Sequence, residues 1–229
     1  MTKIGNRIIK DFDRLPKQVI EAFRGIPSSN IGDMMNRLYC TKGLYPVGRT
    51  VMAGSAFTVK APDGDNAFLH RALDLAKAGD VLVIDGGACV TRSLCGEIMF
   101  TYAQERGIEG FVVDGAIRDS DSPKKLDFAV YTRGVTPQGP YKNGPGEINV
   151  PVCCGGQVVF PGDVVVGDAD GVCIVRRENA EEILGQVKMK FAYETKLLKA
   201  YHDEGIDYGE HSALYTCLTD KLKTEITDF

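Results

Sequence analysis

Short runs of apolar residues alternate with polar turns along much of the chain. Residues 81–84 (VLVI) and 111–113 (FVV) are continuous apolar runs, and an Asp-Gly turn signal follows each of them. Such runs are typical of strands that are buried on both faces. Apolar side chains recur at helical spacing between the two runs and predict one apolar helix face: Leu94, Ile98, Tyr102 and Ala103. The pattern therefore predicts a strand–helix–strand unit with parallel strands and a right-handed crossover.

Two polar clusters follow these predicted strands. They are residues 85–87 (DGG) and residues 114–119 (DGAIRD), which include Arg118 and Asp119. In parallel α/β units, ligands bind beyond the carboxyl ends of the strands. We therefore expect the active site at this edge of the sheet.

The amino-terminal part of the chain predicts two helices. Val19, Ile20 and Phe23 fall on one face of the first helix. Ser29 resembles an N-cap for the second helix, whose inward residues would include Met34 and Leu38; the N-cap assignment rests on the preference of Ser for that position.

The rest of the chain predicts further strands and helices. Residues 51–59 read as a strand, and the turn at residues 63–65 leads into an amphipathic helix with Asn66 in its first turn. Residues 134–149 are rich in Gly and Pro and predict a long loop, in which Lys142 is the only cation. The later elements are a strand, three strands of an antiparallel meander and a final helix: residues 128–133, 158–160, 164–167, 172–175 and 179–201.

Composition narrows the fold and excludes several functions. A length of 229 residues with 44% hydrophobic residues suits one α/β domain over residues 1–229. The net charge of −4 without a basic run argues against nucleic acid as a ligand. The apolar runs are too short to span a bilayer, and the charged amino terminus is not a signal peptide, so we expect a cytoplasmic protein without a membrane partner.

Cysteine and histidine usage argues against a metal cluster of the zinc type. The seven cysteines contain no CxxC pair, which favours buried reduced thiols over disulfides or zinc ligands. The three histidines, His70, His202 and His211, show no ligand spacing. A zinc site or a Ser-His-Asp triad is therefore not expected.

The final helix carries a carboxylate within an apolar stripe. The stripe follows spacings of three and four residues: Leu184, Val187, Phe191, Glu194, Leu198 and Tyr201. A carboxylate in such a stripe must be paired, solvated or protonated. Glu194 either forms a salt bridge at the edge of the stripe, or serves a site on a surface that the helix covers.

Arg118 and Asp119 have two interpretations. Asp119 could cap the short segment that follows it, as Asp residues commonly do. Alternatively, Arg118 and Asp119 join the helix start near Gly96 and Glu97, where free backbone amides and a glycine suit a bound carboxylate. An anion pocket, a guanidinium and a carboxylate able to hold a hard cation would then converge.

The densest motif, GDVLVIDGG followed by LCGEIM and GFVVDGAIRD, resembles the family of 4-hydroxy-4-methyl-2-oxoglutarate and 4-carboxy-4-hydroxy-2-oxoadipate aldolases. The same family includes the regulator of ribonuclease activity A. The resemblance covers roughly residues 30–205 and is strongest from Asp80 to Asp119. A Gly-acid pair about twenty residues before Arg-Asp is the family pattern, but Ser122 stands where the family has a further acidic residue.

The resemblance implies a fold, an assembly and roles for individual residues. It implies a β/β/α swivelling-domain fold with a mixed central sheet, assembled as homotrimers or hexamers, in which a carboxyl-terminal helix, residues 178–205, packs on a neighbouring subunit. The implied roles are Mg²⁺ or Mn²⁺ binding by Asp119, keto-oxygen binding by Arg118, carboxylate binding by the amides near Gly96, Ile98 and Met99, water positioning by Glu97, pocket contacts by Asn66 and Lys142, and an acid from the neighbouring subunit in Glu194.

The chemistry that follows is cleavage of a 4-hydroxy-2-keto diacid to pyruvate and a second keto acid. A metal and Arg118 can stabilise the pyruvate enolate without a Schiff base, and oxaloacetate decarboxylation would pass through the same enolate. A Schiff base on Lys142 is the competing mechanism, disfavoured by its polar loop. The competing functions are a non-catalytic regulator that binds a ribonuclease and a methyltransferase, for which the expected glycine-rich motif is missing.

Overall fold

The structure, a computed structural model, describes residues 4–203 and has a mixed α/β fold. Among the described residues, nine strands form the main sheet, and β8 and β9 form a separate two-stranded ribbon. The strands are β1 (Asn6–Ile8), β2 (Tyr45–Pro46), β3 (Met52–Lys60), β4 (Asp80–Cys95), β5 (Gly110–Ile117), β6 (Ala129–Val135), β7 (Gly146–Ile148), β8 (Val152–Cys154), β9 (Gln157–Val159), β10 (Val164–Gly167) and β11 (Val172–Val175).

Six α-helices accompany the strands in the described part of the chain. They are α1 (Lys17–Glu21), α2 (Ser28–Met34), α3 (Ala67–Leu75), α4 (Glu97–Glu105), α5 (Ser122–Lys125) and α6 (Ala180–Asp203). The predicted mixed sheet and the long final helix are both confirmed. Of the predicted range 178–205 for that helix, residues 204 and 205 lie outside the described residues.

The centre of the sheet is parallel, and its flanks are antiparallel. β3, β4, β5 and β6 are parallel neighbours, which confirms the predicted parallel pairing of β4 with β5. β7 and β10 pair antiparallel with β3, and β2 pairs antiparallel with β6. The predicted meander is only partly correct, because β9 pairs with β8 rather than with β10.

The central strands are buried on both faces. In β4, Leu82 and Ile84 pack into the cluster that contacts α3 and α4, whereas Val81 and Val83 pack into the cluster on the other face. Successive side chains of a strand point to opposite faces, so burial on both faces requires an unbroken apolar run. This is why the run was recognisable in the sequence.

β4 is much longer than the predicted strand. The sequence indicated an end at Asp85, but the strand continues to Cys95 and pairs with β5 again at Cys89, Ser93 and Cys95 after shifts of register. Each shift inserts residues on one strand only, as in β-bulges. The glycine signal at residues 86 and 87 therefore marks an irregularity within the strand rather than its end.

Two helix assignments from the sequence are wrong in detail. α2 begins at Ser28 after Pro27, so Ser29 lies within the helix rather than at its N-cap, and Leu38 lies beyond its end and is exposed. The buried face of α4 consists of Met99, Phe100 and Ala103. Ile98, which the sequence placed on the apolar face of this helix, is 81% exposed.

The helical spacing predicted the wrong buried face for α4, because one of the residues counted in it belongs to a strand. Leu94 lies in β4, where it is fully buried, and including it shifted the inferred helix face by about one residue. The strand prediction at residues 51–59 and the turn at residues 63–65 are confirmed. The predicted loop at residues 134–149 contains the short strand β7 near its end.

The chain divides into two compact units after Lys188. The described part of the second unit consists of residues 189–203. In the first unit, the start of α6 contributes Ala180, Ile183 and Val187 to a core cluster. No helix among the described residues is long and apolar enough to cross a bilayer.

Candidate active site

The Gly96-Glu97 and Arg118-Asp119 pairs meet because β4 and β5 end side by side. Cys95 pairs with Ile117 as the last residues of the two parallel strands. The Arg118 amide continues the ladder by donating to the Cys95 carbonyl oxygen at 3.0 Å. Two motifs that are twenty-two residues apart in the sequence therefore occupy adjacent positions at the carboxyl edge of the sheet, as predicted.

Gly96 is required by the close approach of these two pairs. A Cβ atom at position 96 would lie 2.5 Å from Asp119 Oδ2 and 2.8 Å from Arg118 Cγ. The backbone of Gly96 is extended, with φ −161°, a conformation that any residue can adopt. The requirement for glycine is therefore one of space.

Asp119 directs its carboxylate to the start of α4. Its Oδ2 accepts a hydrogen bond from the Glu97 amide at 3.0 Å and lies 3.6 Å from Arg118 Nε. Asp119 adopts a left-handed conformation, with φ 54°, which Asp tolerates better than most residues. The capping interpretation of Asp119 does not hold for its side chain, because α5 has no side-chain cap hydrogen bond and the Ser122 amide donates to the Asp119 carbonyl oxygen instead.

The start of α4 offers backbone donors to an anion. The Met99 amide is already used by the Gly96 carbonyl oxygen at 2.9 Å. Within the described residues, the amides of Gly96 and Ile98 have no hydrogen-bond acceptor, and Ile98 occupies the second position of the helix. Unpaired amides at a helix start attract negative charge. Gly96 and Ile98 are therefore better placed than Met99 to donate to a carboxylate.

A cavity of about 210 Å³ lies beside this edge of the sheet. Its walls come from β4, from the starts of α3 and α4, and from the loop after β6. The lining residues are Asn66, His70, Ser93, Leu94, Cys95, Gly96, Ile98, Met99, Arg118, Pro140 and Lys142. All six residues predicted to bind substrate are among them.

A hydrogen-bonded turn positions Asn66 and Lys142 together in one wall of the cavity. The buried Asp65 carboxylate accepts from the amides of Asn143 at 2.6 Å and Gly144 at 3.1 Å, which ties the loop to the start of α3. Asn66 donates from Nδ2 to the Leu94 carbonyl oxygen at 2.8 Å. The Lys142 ammonium lies 3.4 Å from Asn66 Oδ1, so a cation and an amide share this wall.

Arg118 and Lys142 are the two cationic side chains of the cavity. Burial and the neighbouring Lys142 charge lower the pKa of His70, which favours a neutral imidazole. Burial also raises the pKa of the Cys95 thiol, which leaves it protonated and unsuited to act as a nucleophile. The cavity is therefore suited to a ligand that carries more than one negative charge.

None of the three predicted acidic residues, Glu97, Asp119 and Glu194, is a lining residue of this cavity. Asp119 flanks it next to Arg118, and the Glu97 carboxylate is exposed and makes no hydrogen bond or ion pair with described residues. Glu194 lies in the second unit, where it forms an ion pair with Lys190 at 3.2 Å. This pair agrees with the salt-bridge interpretation, and the assignment of Glu194 to a neighbouring site stays a prediction.

Ser122, which replaces an acidic residue of the family pattern, is buried at the first position of α5. Its amide donates to the Asp119 carbonyl oxygen at 2.9 Å. Ser122 therefore supports the backbone conformation of Asp119 and adds no charge beside it.

The Asp119 carboxylate is the candidate ligand for a divalent metal at this edge of the sheet. Asp119 Oδ1 has no protein partner in the described part of the chain, and the side chain is 42% exposed. Among the described residues, no group of three or more His, Cys, Asp or Glu side chains could hold a metal. One accessible carboxylate fits a hard cation such as Mg²⁺ or Mn²⁺ that keeps most of its waters, and does not fit zinc.

Five lining residues were not predicted from the sequence: His70, Ser93, Leu94, Cys95 and Pro140. His70 could have been found, because it lies four residues after Asn66 and thus on the same helix face. Residues 93–95 could not, since the bulged extension of β4 brings them to the cavity. Ser93 donates from its amide and its hydroxyl to the Gln138 carbonyl oxygen, which fixes the loop against β4.

The sheet, its polar carboxyl edge and the cavity beside that edge define an α/β protein with a candidate site at the ends of the parallel strands. The RraA-like family model, described as Aldolase/RraA, matches residues 28–174. The chain therefore belongs to the RraA-like family.

Two of the similar proteins carry different functional names, and a third shows the fold alone. A protein of Halalkalibacterium halodurans named "Putative 4-hydroxy-4-methyl-2-oxoglutarate aldolase" is 40% identical over 186 residues, covering 80% of this chain and 89% of that protein. The solved Streptomyces coelicolor RraAS2, titled an unusual member of the RNase ES inhibitor RraA protein family, is 26% identical with a TM-score of 0.73, covering 81% of this chain and 98% of that chain. An uncharacterized Pseudomonas syringae protein shares the fold at 23% identity, with a TM-score of 0.76 and coverage of 84% and 92%.

Proposed function

We propose that the protein is a divalent-metal-dependent aldolase that cleaves a 4-hydroxy-2-keto diacid to pyruvate and a second 2-keto acid, with oxaloacetate decarboxylation as a side activity. The observation that carries the proposal is a cavity lined by Arg118 and the start of α4, with the Asp119 carboxylate hydrogen-bonded to the Glu97 amide next to that lining. The name of the Halalkalibacterium halodurans relative supports the same class of reaction.

The residues of this cavity suit the charges of such a substrate. The free amides of Gly96 and Ile98 would hold the carboxylate next to the keto group. The Arg118 guanidinium would donate to the keto oxygen. Lys142 and Asn66 would bind the distal carboxylate, so we expect a preference for a diacid.

Asp119 would hold Mg²⁺ or Mn²⁺ mainly through bound waters. When bound, the cation supplies a Lewis acid that stabilises negative charge on the keto oxygen. Arg118 supplies a second positive charge to the same oxygen. Asp119 also keeps its hydrogen bond to the Glu97 amide, which fixes the carboxylate relative to the helix start.

Cleavage breaks the bond between C3 and C4 of the substrate. The C4 hydroxyl loses its proton as its carbon becomes the new carbonyl, and the bonding electrons pass into the pyruvate enolate. Protonation at C3 then gives the methyl group of pyruvate. Glu97 would position the water that accepts the hydroxyl proton, and Glu194 of a neighbouring subunit would carry a proton as a general acid.

Pyruvate release from several 4-hydroxy-2-keto diacids and from oxaloacetate tests the proposal. With Mg²⁺ or Mn²⁺ we expect turnover, which excess chelator should abolish and added metal should restore. Asp119→Asn should be inactive and should keep the wild-type circular dichroism spectrum. Full activity in excess chelator would contradict metal dependence.

A second candidate function is a non-catalytic regulator of ribonuclease activity that acts by protein–protein binding. The similarity to Streptomyces coelicolor RraAS2 favours it. The pyruvate-release assay distinguishes the two functions, because a regulator would release no pyruvate from any of these substrates. It would instead change the rate at which a ribonuclease cleaves RNA, and Asp119→Asn would leave that effect intact.

A further inference from the structure

A pair of cysteine side chains lies in the first unit, between the segment after α2 and strand β11. Cys40 and Cys173 face each other in an isolated antiparallel bridge, and their Sγ atoms are 3.1 Å apart. Both are free thiols in this structure. Cys173 is buried, whereas Cys40 is partly exposed.

The backbone around the pair has the geometry that a cross-strand disulfide needs. The flanking residues make the ladder bonds, from the Thr41 amide to the Val172 oxygen at 2.9 Å and from the Ile174 amide to the Tyr39 oxygen at 3.0 Å. The two cysteines therefore form a non-hydrogen-bonded pair, in which Cα atoms are about 4.5 Å apart. Disulfides accept Cα separations from about 4.4 Å upward, so the sulfur atoms can close by about 1 Å without moving the strands.

The neighbouring residues leave space for the two thiols and give Cys40 and Cys173 different environments. A Cβ atom at Gly32 would lie 2.7 Å from Cys40 Sγ, so the glycine in α2 provides the space for this thiol. Cys173 Sγ donates to the Ser28 carbonyl oxygen at 3.2 Å, and burial raises the pKa of its thiol. Cys40 is thus the thiol that a dissolved oxidant can reach, and Cys173 is the neighbour positioned to react next.

We propose that Cys40 and Cys173 form a reversible intramolecular disulfide when the protein meets a hydroperoxide. The Cys40 thiolate attacks one peroxide oxygen, the O–O bond breaks, and Cys40 sulfenic acid and an alcohol or water are formed. The Cys173 sulfur then attacks the Cys40 sulfur, the S–O bond breaks, and hydroxide leaves as water with the Cys173 proton. In sum, two thiols and one hydroperoxide give one disulfide, one alcohol or water, and one water.

The test is a peptide map of the whole protein after treatment with hydrogen peroxide. Remaining thiols are alkylated under denaturing conditions, and the protein is digested without reductant. We expect one cross-linked peptide pair containing residues 40 and 173, the loss of two alkylation sites, and the return of both after dithiothreitol. The yield should not depend on protein concentration, because the bond is intramolecular.

Matched variants separate this pair from the other cysteines. Cys40→Ser and Cys173→Ser should each lose the cross-link, whereas Cys153→Ser, which removes an exposed thiol, should retain it. Cys217 lies outside the described residues, and the map would identify any bond to it directly. Full alkylation of both residues after peroxide, or sulfinic acid at Cys40 beside an unmodified Cys173, would overturn the proposal. The wild-type map decides the question even if a variant does not fold.

Discussion

At the scale of single residues, the geometry of the site depends on Gly96, because a glycine has no side chain to occupy this space. Gly96 leaves space for the Asp119 carboxylate and the Arg118 stem, which pass within 3 Å of where a Cβ would be. Because the Gly96 backbone is extended, a substitution there changes the positions of the two side chains without straining the backbone. A substitution at position 96 therefore tests the positions of Arg118 and Asp119 with little effect on the stability of the fold.

We predict that Gly96→Ala lowers the rate of pyruvate release by about a hundredfold, because displacements of about 1 Å in an active site have costs of that order. The free energy of unfolding, measured with urea, should change by only about 1 kcal/mol. Gly185→Ala is the matched control, since nothing lies within 4 Å of a Cβ there and Ala favours the helix. Unchanged activity in Gly96→Ala would show that the Arg118 and Asp119 positions are not critical.

Arg118 offers a second test at the residue scale. If its guanidinium donates to the keto oxygen as negative charge develops, Arg118→Lys should lower kcat by about a hundredfold or more, because an ammonium does not reproduce the paired donors. Steady-state kinetics on the best substrate measure kcat and KM separately. Arg37→Lys, at an exposed arginine on the surface, is the control. A higher KM with an unchanged kcat would mean that Arg118 only binds substrate.

At the scale of elements, the sequence was informative where burial imposes a pattern. The apolar runs in β4 and β5 predicted parallel strands, and the polar residues after β5 predicted the edge of the sheet at which the cavity lies. The bulged part of β4 was not predictable, because its Gly and Asp residues carry ordinary turn signals and only the renewed pairing with β5 extends the strand. The lining residues Ser93, Leu94 and Cys95 were missed for the same reason.

The loop that carries Lys142 is held by one buried carboxylate. Asp65 accepts hydrogen bonds from the amides of Ala67, Asn143 and Gly144, and it is 4% exposed. These contacts, which join residues far apart in sequence, could not be inferred from the Gly- and Pro-rich composition of the loop. The composition predicted a loop, and the Asp65 contacts determine where it lies.

We predict that Asp65→Asn weakens the attachment of this loop. The amide retains one acceptor and adds a donor that faces backbone amides, so stability should fall by about 1–3 kcal/mol. KM for a diacid should rise more than kcat falls, because Lys142 binds the distal carboxylate in the proposed function. Asp63→Asn is a control in the same turn, where the carboxylate is exposed and forms no hydrogen bond with described residues. Equal kcat and KM for Asp65→Asn and wild type would show that the attachment of this loop does not affect substrate binding.

At the scale of the whole molecule, the predicted assembly assigns a role to the final helix. Glu194 lies in the second unit and pairs with Lys190, and its role in catalysis rests on the family resemblance. The exposed Phe191 and Leu198 extend the apolar stripe on this helix. Apolar surface of this kind is commonly covered by a partner subunit. The proposal is therefore that each active site combines Asp119 of one chain with Glu194 of the next.

Mixed assembly of two inactive variants tests this arrangement. Asp119→Asn and Glu194→Gln are purified separately, unfolded, mixed in equal amounts and refolded, and mixed oligomers are verified by mass. In a closed ring, an intact site forms where a Glu194→Gln chain supplies Asp119 and its neighbour, an Asp119→Asn chain, supplies Glu194, which has a probability of about one quarter. We therefore expect about a quarter of the wild-type rate of pyruvate release, whereas each variant refolded alone stays inactive. If both residues served a site within one chain, no mixture could contain an intact site, and activity at the level of the separate variants would exclude the shared arrangement.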